Sequence, residues 1–243
     1  MKKILIVHGL CHSAERYFEL AKQMTECGYE VSVVDLPGFG KHKYDGDISK
    51  VEQFQIEYLR GVLTEDRYDY AVGHSWGARL LLQALETFEI QPVLILLNPV
   101  YAFSKNLQYL HHLKFLIRAH YYWTCRFPLF LSKPVIKMVA LAYVNRWSDI
   151  DDILVNDYLT ANPNVATEIL FEISRSSIKV DKNNYRKLVL IYSDKDRVLS
   201  QDSYNTLIHE LEPEIYLIKG KGHTLVLEDL TALTAQLKQI CQE

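Results

Sequence analysis

The sequence predicts an α/β protein built on a doubly wound, mostly parallel sheet, interrupted by one long helical insertion. Three observations carry that expectation. Short β-rich apolar runs alternate with longer helix-like stretches along the 243 residues. The runs are continuous rather than alternating, as strands covered on both faces must be. The interval between Leu97 and Leu188 holds no convincing strand at all.

In chain order, the strand runs are ILIV at 4–7, VSVV at 31–34, YAV at 70–72, VLILL at 93–97, LVLIY at 188–192 and IYLI at 215–218. Helix-like segments lie near 14–27, 49–65, 76–88, 201–211 and 228–241. Thr64 to Arg67 and Glu212-Pro213 read as helix ends. The segment 149–177 reads as helical, broken at Asn162-Pro163. Residues 1–101 and 187–243 are therefore expected to form the core, and 102–186 a helical cap inserted after the fourth strand, over the C-terminal edge of the sheet.

Composition narrows the class. The length suits one large α/β domain with an insertion. Apolar residues are 49% and charged residues 23%, ordinary for a globular protein, and a net charge of −3 argues against a general nucleic-acid binder. Cys11, Cys27, Cys125 and Cys241 are scattered without a C-x-x-C pair, which is neither a disulfide framework nor a zinc pattern and points to a reducing compartment. Lys2 and Lys3 precede an apolar run that stops at His8-Gly9, too short for a signal peptide. No apolar window approaches the roughly 18 residues of a spanning helix. The expected location is cytoplasmic.

The chemistry begins at Gly73-His74-Ser75-Trp76-Gly77. This G-x-S-x-G stretch follows a strand run and precedes a helical one, the setting in which a serine is lifted on a sharp, strained turn. Glycines two before and two after remove side chains that would collide there. A serine needs a base, and the base an orienting acid. Of nine histidines, His223 is the best placed, in GKGHTLVLED after the last strand run, with Gly220 and Gly222 giving a mobile turn. His209 lies in a predicted helix, and His111, His112 and His120 lie in the insertion. His74 adjoins the serine and is expected to point away across the elbow. The acid is Asp194 or Asp196, both just past the strand at 188–192. An oxyanion hole is expected from the backbone N–H of Trp76 with that of Leu10, or of Cys11, in HGLCHS after the first strand.

Through VHGLCHSAERY, VVDLPGFGKH, VGHSWGA, LVLIYSDKDRVL and KGKGHTLVLED, the chain resembles the α/β-hydrolase superfamily. The resemblance covers both ends of the chain and leaves the insertion as a cap of variable sequence. It implies a six-stranded sheet beginning at the family's third strand, and the order Ser75, Asp196, His223, the acid lying shortly before a valine such as Val198. HGLCHS is similar to plant methylesterases and hydroxynitrile lyases. Those lyases carry a lysine directly after the catalytic histidine, where this chain has Thr224. HGLCHSAERY with VVDLPGFG is also similar to bacterial esterases acting on pimeloyl-acyl-carrier-protein methyl ester.

From Ile90 to Ser148 there is no Asp or Glu, while Lys105, Lys114, Arg118, Arg126, Lys133, Lys137 and Arg146 are interleaved with aromatics. This reads either as a basic helical surface over an aromatic core or as a contact for an acyl carrier, a coenzyme-A substrate or an anionic membrane surface. GFGK at 38–41 completes neither phosphate-binding motif, and no metal-ligand spacing occurs, so no cofactor and no metal are expected. The expected activity is a serine hydrolase of carboxylic esters or thioesters, with a small-molecule or acyl-carrier-linked substrate. The rivals are a lyase on the same residues and a non-catalytic binding protein on the same fold.

Overall fold

Alternate residues of the four central strands serve opposite core layers, which explains why their runs are apolar throughout. The edge strand at 214–218 instead leaves Ile215 and Leu217 exposed (44% and 42%), so cover on both faces stops short of that edge. In the strand β1 (Lys3–Val7), Ile4 and Ile6 are buried in one layer, while Leu5 and Val7 are buried in the other. The structure, a computed structural model, describes residues 1–89, 91–101, 155–157, 160–175 and 177–242. Five further strands follow: β2 (Glu30–Val34), β3 (Tyr70–His74), β4 (Val93–Leu97), β5 (Leu188–Ser193) and β6 (Glu214–Ile218). All pair in parallel, in the order β2-β1-β3-β4-β5-β6.

One face of the sheet is covered by α1 (Phe18–Glu26) and α7 (Leu230–Gln242), through Leu20, Met24, Leu233, Leu237 and Ile240. The other is covered by α2 (Val51–Glu65), α3 (Trp76–Leu85) and α5 (Gln201–Leu211), through Ile56, Leu59, Leu80, Leu81 and Leu207. Each fully buried side chain of this kind contributes about 1.5–3 kcal/mol of burial energy. The two faces together account for the doubly wound architecture. A short helix, α6 (Leu225–Glu228), precedes α7 and has no counterpart in the sequence expectation. The stretch expected to be helical up to residue 88 ends earlier, at Leu85. The break at Glu212-Pro213 has a clear cause: Glu212 takes a left-handed conformation with φ 47°, and proline cannot continue a helix.

Of the insertion expected at 102–186, residues 102–154, 158–159 and 176 lie outside the described residues. The described part includes α4 (Pro163–Arg175). Asn162-Pro163, read as a helix break, does interrupt the helical residues: 155–157 and 160 precede it, and α4 starts afresh at Pro163. The Asn162 side chain accepts from the backbone N–H groups of Asn164 (3.0 Å) and Val165 (3.3 Å), and proline occupies the first helical position. Val165, Ala166 and Ile169 are fully buried in the same core layer as α2. Asp157 is tied to the loop after β1, accepting from Ser13 Oγ at 2.5 Å and facing Arg16 Nε at 3.5 Å. Burial pushes its carboxyl up to about 6, against the pull of Ser13 and Arg16. No helix among the described residues is long and apolar enough to cross a membrane.

Strands β1 and β3 are neighbours, with Val7 opposite Gly73. They continue into the 8–13 loop and the serine elbow respectively. The chain leaves β1 toward β2 on one side and toward β3 and β4 on the other. Such a switch point opens a crevice at the C-terminal ends of the strands.

Candidate active site

The elbow is built from crowding. A Cβ on Gly73 would lie 2.5 Å from Ala78 Cα, and one on Gly77 would lie 2.4 Å from the carbonyl oxygen of His8. Only glycine fits at either place. Between them Ser75 adopts φ 51°, ψ −111°, a conformation that costs a non-glycine residue about 1–3 kcal/mol. The end of β4 and the loop that follows it hold it there. Ser75 N–H donates to Leu97 O (2.9 Å), and Ser75 O accepts from Val100 N–H (3.2 Å). Ser75 caps the N-terminus of α3, where the helix dipole favours negative charge. Trp76, fully buried, anchors the helix by donating from Nε1 to Gln55 Oε1 on α2 (2.8 Å).

The structure brings the three predicted residues together. Ser75 Oγ lies 2.8 Å from His223 Nε2, and His223 Nδ1 lies 2.7 Å from Asp196 Oδ2. Since Asp196 can only accept, Nδ1 carries the proton and Nε2 is left to accept from the serine hydroxyl. Ser75 and His223 are 5% and 3% exposed, so the three side chains meet in a low-dielectric setting.

Asp194 and Asp196, which the residues alone left open, separate cleanly in space. Asp194 Oδ1 accepts from Gly220 N–H (2.6 Å) at an exposed position and shapes the turn ahead of His223. Asp196 takes the histidine and three further donors: Tyr204 hydroxyl to Oδ2 (2.5 Å), and the backbone N–H groups of Val198 (2.7 Å) and Leu199 (3.0 Å) to Oδ1. Burial alone would raise this carboxyl. The adjacent His223 ring and the hydrogen bonds outweigh it and hold the group below the ordinary aspartate range.

Leu10 and Trp76 flank the serine. A Cβ on Gly9 would lie 3.2 Å from Ser75 Cβ, so the chain entering Leu10 runs directly beside the nucleophile position. Among the described residues no hydrogen bond engages the backbone N–H of Leu10 or of Trp76. The Gly9 loop is braced by His8, whose Nδ1 donates to Gly9 O (2.7 Å) and whose Nε2 accepts from Leu36 N–H (2.9 Å). Burial drives His8 down to about 4, which keeps it neutral in these two roles. Cys11 has φ 55°, a strained turn that the sequence did not signal.

The loop around His223, expected to be mobile because of its glycines, is pinned instead. Gly222 N–H donates to Glu228 Oε2 (2.7 Å), Gly222 O accepts from Ser193 Oγ (2.6 Å), and Lys221 O accepts from Lys195 N–H (3.0 Å). The glycines allow the turn, and contacts from β5 and α6 then fix it.

Sequence reasoning missed Asn98, Tyr204 and Ser193, and gave His74 no partner. Asn98 closes the apolar run of β4 at the sheet's C-terminal edge and takes φ 41°. A lone asparagine in that place was the available signal, since asparagine tolerates positive φ better than most residues. The basic and aromatic residues of 105–146 lie outside the described residues, and with them the readings as carrier, coenzyme-A or membrane contact.

Residues 1–229 match the family described as serine aminopeptidase, S33. Methylesterase 3 of Arabidopsis thaliana is 33% identical over 89 residues, 35% of this chain. The match spans about a third of that protein's length (34%). Putative methylesterase 14, chloroplastic, from the same plant is 24% identical across 100% of this chain and 72% of its own length. Among solved structures, a bromoperoxidase from Bacillus anthracis superposes with a TM-score of 0.81 at 16% identity, covering 100% of this chain and 92% of that one. That likeness concerns the fold.

Proposed function

Because the chain belongs to the serine aminopeptidase S33 family of the α/β-hydrolase superfamily, we propose that it is a serine hydrolase of carboxylic esters or thioesters, working through an acyl-enzyme. The single observation that carries this reading is the continuous relay of Ser75 Oγ, His223 and Asp196, with spacings of 2.8 and 2.7 Å.

In this reading Ser75 attacks the acyl carbonyl while His223 Nε2 takes its proton. Asp196 holds the ring in the required tautomer and stabilises its charged form. The N–H groups of Trp76 and Leu10 receive the oxyanion, assisted by the N-terminus of α3. His223 then returns the proton to the departing alcohol or thiol, and a water, activated by the same ring, releases the acid. The methylesterase relatives favour small esters as the first substrates to test. Thr224 follows His223 and is buried. The lysine of the related lyases is absent at that position, which favours hydrolysis over lyase chemistry.

The test pairs a fluorophosphonate probe with a series of p-nitrophenyl esters and acyl thioesters. Labelling and turnover that both vanish in Ser75→Ala support the reading. Folded wild-type protein that neither labels nor turns over any ester makes the chain a binding protein on this fold.

A further inference from the structure

We propose that Asn98 and His74 are positioning residues that hold the relay together by sharing one acceptor, the backbone carbonyl oxygen of His223. This inference rests on the hydrolase reading above and deepens it.

That oxygen receives Asn98 Nδ2 at 2.7 Å and His74 Nε2 at 3.0 Å. Both donors are buried side chains from strand ends, and their arrangement forms two closed rings. His74 is covalently joined to Ser75, grips the His223 carbonyl, and His223 Nε2 returns to Ser75 Oγ. Leu97, covalently joined to Asn98, accepts the N–H of Ser75 at 2.9 Å, and Asn98 grips the same carbonyl. The base therefore cannot drift from the nucleophile without breaking a bond that begins at the nucleophile's own neighbours. The bonds from Glu228, Ser193 and Lys195 fix the turn at Lys221 and Gly222, and the two donors on the His223 carbonyl extend that restraint to the histidine itself.

The donors are themselves fixed. Asn98 is 0% exposed; its second N–H meets Ser193 Oγ (2.8 Å), and its Oδ1 accepts from Ser193 N–H (3.0 Å). This leaves only one orientation for the amide. His74 must carry its proton on Nε2 to reach the carbonyl, so Nδ1 accepts from Tyr17 hydroxyl (2.8 Å), and His12 Nδ1 lies 3.3 Å behind Tyr17. Burial, with the His223 ring next, drives His74 down to about 3, so it stays a neutral donor throughout the working range.

Three variants test the clamp. Asn98→Asp keeps size and tolerance of positive φ but replaces the donor with oxygen. His74→Phe removes the other donor, and His74→Gln restores an N–H near the same place. Each is measured for kcat and KM on an activated ester, for fluorophosphonate labelling rate, for the low-field proton signal of His223 Nδ1–H, and for thermal unfolding. Asn98→Asp and His74→Phe should lower kcat by about 10- to 100-fold with KM little changed, the scale expected for small misplacement of a reacting group. Their low-field signal should broaden, and His74→Gln should recover most of the loss. Wild-type kcat in folded Asn98→Asp, or His74→Gln as poor as His74→Phe, would overturn the proposal. If Asn98→Asp does not fold, the His74 pair decides alone. Ser75→Ala separates the two ideas: retained turnover there removes the hydrolase reading itself, whereas lost turnover there beside wild-type rates in the clamp variants removes only the clamp.

Discussion

The hydroxyl of Tyr204 lies 2.5 Å from Oδ2 of Asp196, the same oxygen that receives His223 Nδ1–H. The carboxylate thus has four donors and little freedom to rotate away from the histidine. Tyr204→Phe deletes one donor to a buried charge, a bond worth about 1.5–3 kcal/mol. Asp196 then becomes more basic and stabilises the protonated ring more strongly. The acidic limb of the kcat/KM profile should move to higher pH, with kcat at the plateau reduced less than in Asp196→Asn. An unmoved limb would show that Tyr204 only packs.

Asp196→Asn keeps the shape but presents an amide to His223, which permits the wrong ring tautomer. Turnover should fall by about 10⁴-fold, as loss of the orienting carboxylate does in other serine relays. The protein should remain folded by circular dichroism. Asp194→Asn, which alters the acceptor of the Gly220 N–H, should leave most activity in the same assay.

Gly77→Ala should be poorly tolerated. Its methyl would sit 2.4 Å from His8 O and 2.7 Å from Val7 O, backbone atoms that cannot step aside. Overpacking of this kind costs about 1–3 kcal/mol or more, so a clear drop in melting temperature is expected. Ser75→Gly should do the reverse, raising the melting temperature by releasing a strained residue.

Acid should destabilise the fold through its buried neutral histidines. Burial lowers His8 to about 4 and His74 to about 3, and places His12 well below its usual value. Each binds its proton more readily once unfolded. The stability they confer is complete above about pH 6.5 and is lost as pH falls toward the folded values; for His8 alone this is on the order of 3 kcal/mol. Asp157, held up near 6, acts in the opposite direction between about 4 and 6, one group against three. Urea midpoints should therefore decline from pH 6.5 to 4, and less steeply in His74→Gln. A flat profile would mean that these rings are not buried neutral in solution.

Removing Asp157 should be costly at neutral pH. Its side chain and that of Arg16 are 1% and 2% exposed. Asp157→Ala leaves the guanidinium without this counter-charge, for which about 3–5 kcal/mol is expected. Combining it with Arg16→Met should recover part of that loss in a double-mutant cycle.

Local signals in the sequence determined much of this protein. Continuous apolar runs marked the strands β1 to β6, to within a residue or two at their ends. In the four central strands the cause is burial on both faces, which leaves a pattern readable one segment at a time, whereas β6 is apolar although Ile215 and Leu217 are exposed. The glycines of the 73–77 elbow marked where a serine had to be crowded into a turn, and the chemistry of a serine then restricted the search to one loop histidine and two aspartates. What only the tertiary structure decided are contacts between residues far apart in the chain. Asn98 and His74 meet the carbonyl of His223, Tyr204 reaches Asp196 from α5, and Asp157 seats on Ser13 and Arg16. None of these leaves a periodic trace, because each depends on the order in which the strands lie side by side. That order is set by how the whole chain buries its two core layers, not by any short stretch of it.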